Sequence, residues 1–119
     1  MSIYTGLQAS LSGMRASSKR MHASAHNVAN IHTDDFKGLR VVNTPAAVEG
    51  SGVTTQVELS SHPGPFTLDE YGELSQRSNV DLADEAIQRI QASRAYEANL
   101  VVVQALSDMD SVLTDNTSD

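Results

Sequence analysis

The stretch "HNVANIHTDDFKGLR", residues 26–40, marks the place where a helical pattern ends abruptly. Small and apolar residues up to Ala29 give way to a polar turn and then to an aromatic and basic pair, Phe36 and Lys37. A polar, turn-forming cluster after a long periodic segment is typical of a helix end. The stretch therefore separates an N-terminal helix, predicted within residues 1–30, from a segment of a different kind.

Before the turn, apolar residues recur with the alternating three- and four-residue spacing of a coiled-coil seam. Gly6 and Gly13 lower the intrinsic helix propensity by about 1 kcal/mol each relative to Ala. A helix with so little apolar surface to bury is marginal in water by itself, so this one is expected to need a partner. The two series of the seam are Tyr4, Leu11, Ser18 and Ala25, and Leu7, Met14, Met21 and Val28.

A second long helix is predicted from about Leu82 to Leu113, within residues 79–114, with Asn79 or Asp81 as its cap. Asn99 falls inside its apolar seam, where a buried Asn can fix the register of paired helices; the alternative is a partly exposed polar residue. Residues 115–119 read as a polar, frayed tail. The two seam series are Ala92, Asn99, Leu106 and Leu113, and Ala95, Val102 and Met109.

Between the helices, residues 31–78 carry strand and turn signals. The stretch "GVTTQVEL" alternates apolar and polar residues between "EGSG" and "HPGP", as a half-buried strand does. A second short extended stretch is predicted near Phe66 to Leu68, followed by a turn at "EYGEL". This segment is too short to form a domain of its own. The predicted fold is one domain, residues 1–119, mostly α, with two terminal helices pairing as a coiled-coil-like hairpin around a short β or extended segment.

The composition and charge of the chain narrow the range of possible functions. The 119 residues carry a formal charge of −7, which argues against a nucleic-acid partner. Residues 1–40 hold five basic and two acidic residues, net +3, so the two parts of the chain can attract each other. No apolar run is long enough for a membrane span, and no cleaved secretory signal is recognisable.

Nor does the sequence contain a recognisable site for chemistry. No nucleophile elbow or phosphate-binding glycine loop occurs, so we expect neither an enzyme nor a small-molecule substrate. His22 and His26 stand four residues apart, but Ala23, Ser24 and Ala25 lie between them where a zinc-binding helix has Glu. We therefore expect no metal and no cofactor, and interpret both histidines as solvated or interface residues.

At its two ends the chain resembles the axial proteins of the bacterial flagellum, the rod and hook family. The segment from Ala29 to Lys37 is similar to the motif that ends a long N-terminal helix in that family, with His32 and Asp35 in place of its usual Asn and Gly. Residues 79–81, "NVD", and residues 93–99, "SRAYEAN", look like the family's C-terminal signatures. The short middle segment favours the small proximal-rod type and excludes the large extra domains of hook and distal-rod proteins.

The resemblance implies a structural subunit that polymerises helically through its terminal helices. It also implies export through the flagellar type III apparatus without a cleaved signal peptide, location in the periplasm-spanning rod of the basal body, and contact with copies of itself and other axial proteins. The turn at "HTDDFKG" would direct Phe36 and Lys37 towards neighbouring subunits; the alternative for Phe36 is an ordinary cap on the core of its own chain. The predicted assembly residues are Leu7, Leu11, Met14, Met21, Val28, Asn30, Phe36, Ala95, Asn99, Val102, Leu106 and Met109.

Two other interpretations stay open. The chain can be a shortened distal-rod or hook relative or an adaptor, or it can be a helical binding module that never polymerises. Valency separates them, because a subunit adds head to tail whereas a module saturates at a fixed stoichiometry. For a subunit, we expect the terminal helices to be largely disordered in the dilute monomer, since only partners can cover their apolar stripes.

Overall fold

Two long antiparallel helices joined by two β-hairpins make up the computed structural model, which describes residues 3–117. This arrangement confirms the predicted fold class. Within residues 3–117, neither helix combines enough length with enough apolar character to cross a bilayer. In chain order the elements are α1 (Ile3–Ala29), β1 (Leu39–Pro45), β2 (Val53–Leu59), β3 (Phe66–Leu68), β4 (Leu74–Gln76) and α2 (Leu82–Thr117).

The start of α2 is fixed by Asp81. Its Oδ1 accepts hydrogen bonds from the backbone N–H groups of Ala83, at 2.8 Å, and Asp84, at 3.5 Å. An acidic N-cap satisfies amides that have no partner inside the helix and places negative charge at the positive end of the helix dipole. Of the two predicted caps, Asp81 performs this role.

The end of α2 lies further along the chain than the sequence predicted. The helix continues to Thr117, through residues 115–117 of the segment expected to form a frayed tail; residues 118 and 119 lie outside the described range. The Thr114 hydroxyl donates to Asp110 O at 3.0 Å and the Thr117 hydroxyl to Thr114 O at 2.9 Å. In these bonds the threonine hydroxyls donate to backbone carbonyls of the same helix. The polar composition of the segment, from which a frayed tail was predicted, does not reveal such bonds.

Both β-hairpins are antiparallel pairs of short strands. β2 coincides with the strand predicted from "GVTTQVEL", and it pairs with β1 so that Val41 lies opposite Val57. β3 lies in the predicted extended stretch and pairs with β4. The turn between them is held by Asp69, whose Oδ1 accepts from the backbone N–H groups of Tyr71 and Glu73. The sequence analysis did not predict the strands β1 and β4.

The molecule is long and thin, with extents of 81 × 25 × 14 Å and a radius of gyration of 20.3 Å. A compact domain of this length has a radius of gyration of about 13.5 Å. Its accessible surface, 8430 Å², also exceeds the roughly 6,200 Å² expected for a compact monomer of this mass. The buried apolar residues among those described are Ala16, Ala23 and Ala92, and no large side chain is fully buried. The chain by itself therefore lacks a conventional hydrophobic core.

Candidate assembly surfaces

Asn27 joins three elements at the end of the helix pair. Its side chain is 3% exposed, and its Nδ2 donates to Leu39 O and to Glu85 Oε1, both at 2.9 Å. Its Oδ1 accepts from the Leu39 backbone N–H at 2.7 Å. One amide group therefore connects α1, β1 and α2. Nearby, the Ser24 hydroxyl donates to Glu85 O at 3.2 Å, which adds a second polar contact between the helices.

A second asparagine fixes the other side of this junction. Asn79 Oδ1 accepts from the Gly38 backbone N–H at 2.7 Å, and its Nδ2 donates to His62 O at 2.8 Å. The Asn79 backbone N–H donates to Phe36 O at 3.2 Å. Asn79 belongs to the "NVD" signature, and two of these three hydrogen bonds are to Phe36 and Gly38 of the "HTDDFKG" turn. The two ends of the chain that carry the family motifs are thus hydrogen-bonded to each other.

The turn itself is held largely by its own chain. Asn30 Nδ2 donates to His26 O at 2.9 Å and its Oδ1 accepts from the Thr33 hydroxyl at 3.0 Å, so Asn30 closes the end of α1. The Phe36 ring is half-buried and lies 5.5 Å from the His26 ring, between centroids. Asp35 has φ 60°, the left-handed conformation that favours glycine. The backbone thus keeps a glycine-like geometry at the position where the sequence departs from the family motif.

One polar atom of the turn has no partner. Lys37 Nζ is inaccessible to solvent and makes no hydrogen bond within the described chain. A buried ammonium without a partner is costly, which makes it an exception among the polar groups of the junction. The contacts of Phe36 and Asn30 described above are all made within one subunit. Their docking on neighbours stays a prediction.

The face of α1 that contacts α2 is lined by small and polar residues. A Cβ at Gly13 would lie 2.7 Å from Asn99 Nδ2, and one at Gly6 would lie 3.4 Å from Leu106 Cδ1. The two glycines, which weaken the helix intrinsically, thus let it approach α2 closely. The buried residues of α1 are Ser10, Ala16, Ser17, Ala23, Ser24 and Asn27.

The larger apolar seam of α1 lies beside this contact rather than within it. Tyr4 is 76% exposed, and Leu11 also counts as exposed. The other predicted seam residues on this helix, Leu7, Met14, Met21 and Val28, are half-buried. A long helix thus presents a stripe of leucine and methionine that the rest of the described chain covers only in part. Partly exposed apolar stripes of this kind are typical of interaction surfaces, so the assembly role of these residues stays a prediction.

The predicted residues of α2 divide between the two kinds of surface. Ala95, Asn99 and Leu106 are half-buried along the contact with α1, and Asn99 Nδ2 also donates to Ala95 O at 2.9 Å. Val102 and Met109 are exposed. The seam of α2 is therefore divided. Asn99 and Leu106 of one series lie at the contact with α1, whereas Leu113 of that series is exposed, as are Val102 and Met109 of the other. Further exposed apolar residues of α2 are Leu82, Ile87, Ile90, Leu100, Val101 and Val112.

Several residues that hold the structure together were not singled out from the sequence. Asn27 looks like one more polar residue near a helix end, and nothing in its spacing indicates three hydrogen bonds. Gly52, at φ 104°, packs so closely on α1 that a side chain there would overlap the Ser12 hydroxyl. That hydroxyl accepts from the Val53 backbone N–H at 3.1 Å and anchors the β1–β2 hairpin. The turn signal "EGSG" indicated the loop but not its contact.

Charged side chains lie mostly at the surface and pair sparingly. Arg77 Nη1 lies 3.5 Å from Asp34 Oδ1, both about half exposed, so this contact contributes little. Arg20 Nη2 donates to Gln88 Oε1 at 2.8 Å and thus links the two helices without an ion pair.

The C-terminal part of the chain matches a known family. Residues 74–116, which include β4 and nearly all of α2, match the model of the flagellar basal body rod FlgEFG protein C-terminal region. Among curated proteins, none matches the chain. The family match supports the rod and hook resemblance carried by the sequence motifs. The proximal-rod type stays a prediction.

Proposed function

We propose that the chain is a member of the flagellar basal body rod family and a rod subunit that polymerises helically through α1 and α2. The match of its C-terminal region, residues 74–116, to the family model supports this proposal. The family supports a structural role in the basal body alongside other flagellar axial proteins. We further propose the small proximal-rod type and export by the type III apparatus. The short middle segment, residues 31–78, is the basis for the subtype.

The observation that carries the proposal is the elongated helix pair without a conventional core. An 81 Å molecule whose buried apolar residues, among those described, are alanines leaves many leucine, isoleucine and methionine side chains exposed or only half-buried. Burying apolar surface stabilises a protein by about 25 cal/mol per Å². Contacts with other subunits can supply this burial along the whole length of the helices. Polymerisation would thus complete a fold that one chain leaves incomplete.

The decisive experiment measures helicity and size together over a concentration series. Far-ultraviolet circular dichroism reports helix content, and sedimentation velocity reports the size distribution of the same samples. A subunit that folds on assembly gains helicity as large, open-ended species appear. A non-polymerising module instead shows constant helicity in a closed monomer or small oligomer at every concentration, and that result would reject the proposal.

A matched pair of variants shows whether the apolar seam is responsible. Leu11→Glu places a charge on the exposed stripe of α1 and should suppress the large species. Val48→Glu introduces the same charge at an exposed apolar residue of the β1–β2 loop and should leave assembly unchanged. Equal behaviour of the two variants would show that the seam of α1 is not an assembly surface.

A further inference from the structure

At the end of the molecule that contains Ile3, α2 extends further than the first described residue of α1. Gly6 of α1 lies against Leu106 of α2, so Ile3, the first described residue of α1, falls near position 109 of α2. The helix α2 continues to Thr117. At about 1.5 Å per residue, the last eight residues of α2 extend about 12 Å beyond Ile3. We call these residues, together with Asp108 and Met109 at the level of Ile3, the overhang (residues 108–117).

The overhang has an apolar face between acidic flanks. Met109, Val112 and Leu113 share one side of the helix by their three- and four-residue spacing, and Val112 is 60% exposed. Asp108 and Asp110 flank that side, and neither carboxylate has a hydrogen bond or ion pair within residues 3–117. The negative end of the helix dipole lies in the same place. The overhang is therefore an amphipathic, negatively charged helix end.

The opposite half of the helix pair carries a groove of complementary character. It lies between the second half of α1 and the first half of α2, with a volume of about 1060 Å³. Met21, Val28 and Ile90 supply much of its apolar lining, and Ile90 is 54% exposed. Arg89 and Arg94 also line it, and neither has an ion-pair partner among the described residues. Glu97 lines it too, which leaves an excess of one positive charge.

We propose that the overhang of one subunit docks in this groove of the next subunit in a head-to-tail contact. This proposal rests on the proposed function and specifies which two segments meet. Apolar residues of the overhang cover Met21, Val28 and Ile90, while Asp108 and Asp110 approach Arg89 and Arg94. Because the two surfaces are different and lie towards opposite ends of an elongated molecule, the contact is heterologous. Such a contact repeats from one subunit to the next, and it produces an open filament when its rotation does not close a ring.

Charge reversal tests the contact in both directions. The groove variant Arg89→Glu/Arg94→Glu has an acidic groove and an acidic overhang, and the overhang variant Asp108→Lys/Asp110→Lys has both surfaces basic. Each variant alone should raise the critical concentration for assembly at least about tenfold, equivalent to about 1.4 kcal/mol. An equimolar mixture should assemble again, because acidic and basic surfaces then alternate along the filament. Glu49→Lys/Glu70→Lys, at exposed hairpin sites, changes the net charge as Asp108→Lys/Asp110→Lys does and should assemble like the wild type.

Cross-linking gives an independent readout because the natural chain has no cysteine. Residues 90 and 112 lie on one helix about 33 Å apart, far beyond the reach of a disulfide within one subunit. The variant Ile90→Cys/Val112→Cys should therefore form a ladder of covalent oligomers on oxidation. The control Val57→Cys/Val112→Cys pairs the overhang with an exposed site on β2 and should form no ladder.

The outcomes separate this inference from the proposed function. Wild-type assembly that both charge variants retain, or a mixture that stays dispersed, would overturn the head-to-tail contact and leave polymerisation intact. A wild-type chain that forms no open-ended species would overturn both. Loss of assembly in each variant, with recovery in the mixture and a ladder only for the 90/112 pair, would establish the contact.

Discussion

Replacing Asn27 by alanine should destabilise the junction between the two helices and the first hairpin. The substitution removes three hydrogen bonds and leaves the Leu39 N–H, the Leu39 carbonyl and the Glu85 carboxylate without this partner. An unsatisfied buried group costs about 1–3 kcal/mol, but the Glu85 carboxylate and Leu39 are only partly buried and can recover some hydration. We expect a loss of about 3 kcal/mol for the three together. That is a large fraction of the stability of a small domain.

The assay is urea unfolding followed by circular dichroism, at a protein concentration where the wild type is fully helical. With a slope of about 1.5 kcal/mol per M, a loss of 3 kcal/mol lowers the midpoint by about 2 M urea. Asn30→Ala is the matched control, because its side-chain hydrogen bonds are solvent-exposed. It should shift the midpoint by about 0.5 M or less.

Asn27→Asp distinguishes hydrogen bonding from packing. Aspartate has nearly the same shape and keeps the acceptor for the Leu39 N–H, but it loses both donors and brings a second carboxylate close to Glu85. We therefore expect it to destabilise the junction almost as much as alanine does. If Asn27→Ala unfolds within 0.5 M urea of the wild type, or if Asn27→Asp is indistinguishable from it, the assigned hydrogen-bond role of Asn27 is wrong.

Substitutions at three further positions test the close contacts and the turn. Gly52→Ala would overlap the Ser12 hydroxyl and force a left-handed φ on alanine, so we expect a loss of about 2 kcal/mol and faster hydrogen exchange along β2; unchanged exchange would contradict the packing described. Gly13→Leu should separate the helices at Asn99 and lower the thermal midpoint despite a higher helix propensity, whereas a raised midpoint would show that close approach is unimportant there. Asp35→Gly should leave the thermal midpoint unchanged or raise it slightly, because φ 60° suits glycine, whereas Asp35→Val should lower the midpoint, with a loss of about 1–2 kcal/mol in the free energy of unfolding. Equal midpoints for the two variants would argue against the left-handed conformation.

Local sequence signals were sufficient for most of the secondary structure. The long apolar periods predicted both helices, and the alternation in "GVTTQVEL" predicted β2. The strand β1 was missed because "LRVVNTP" has apolar residues on both faces and ends in proline, so it has no clean alternation. The extent of α2 was underestimated because threonines in its last turns bond to the preceding backbone carbonyls. The sequence thus misplaced a helix end and missed a pairing strand, but it predicted the correct fold class.

The sequence by itself determined that two long helices enclose a short β segment and that a turn follows Ala29, and both ends of it resemble rod-family motifs. All of these depend on residues close together in the chain. Only the tertiary structure decided which side of α1 meets α2. The spacing of Leu7, Met14 and Met21 favoured the large apolar stripe, yet the contact with α2 uses small residues. Gly13 lets the backbones of the two helices approach closely, and this fit depends on both helices, so the sequence of one helix does not reveal it. For the same reason the three-way role of Asn27 depends on atoms brought together from positions 39 and 85 by folding.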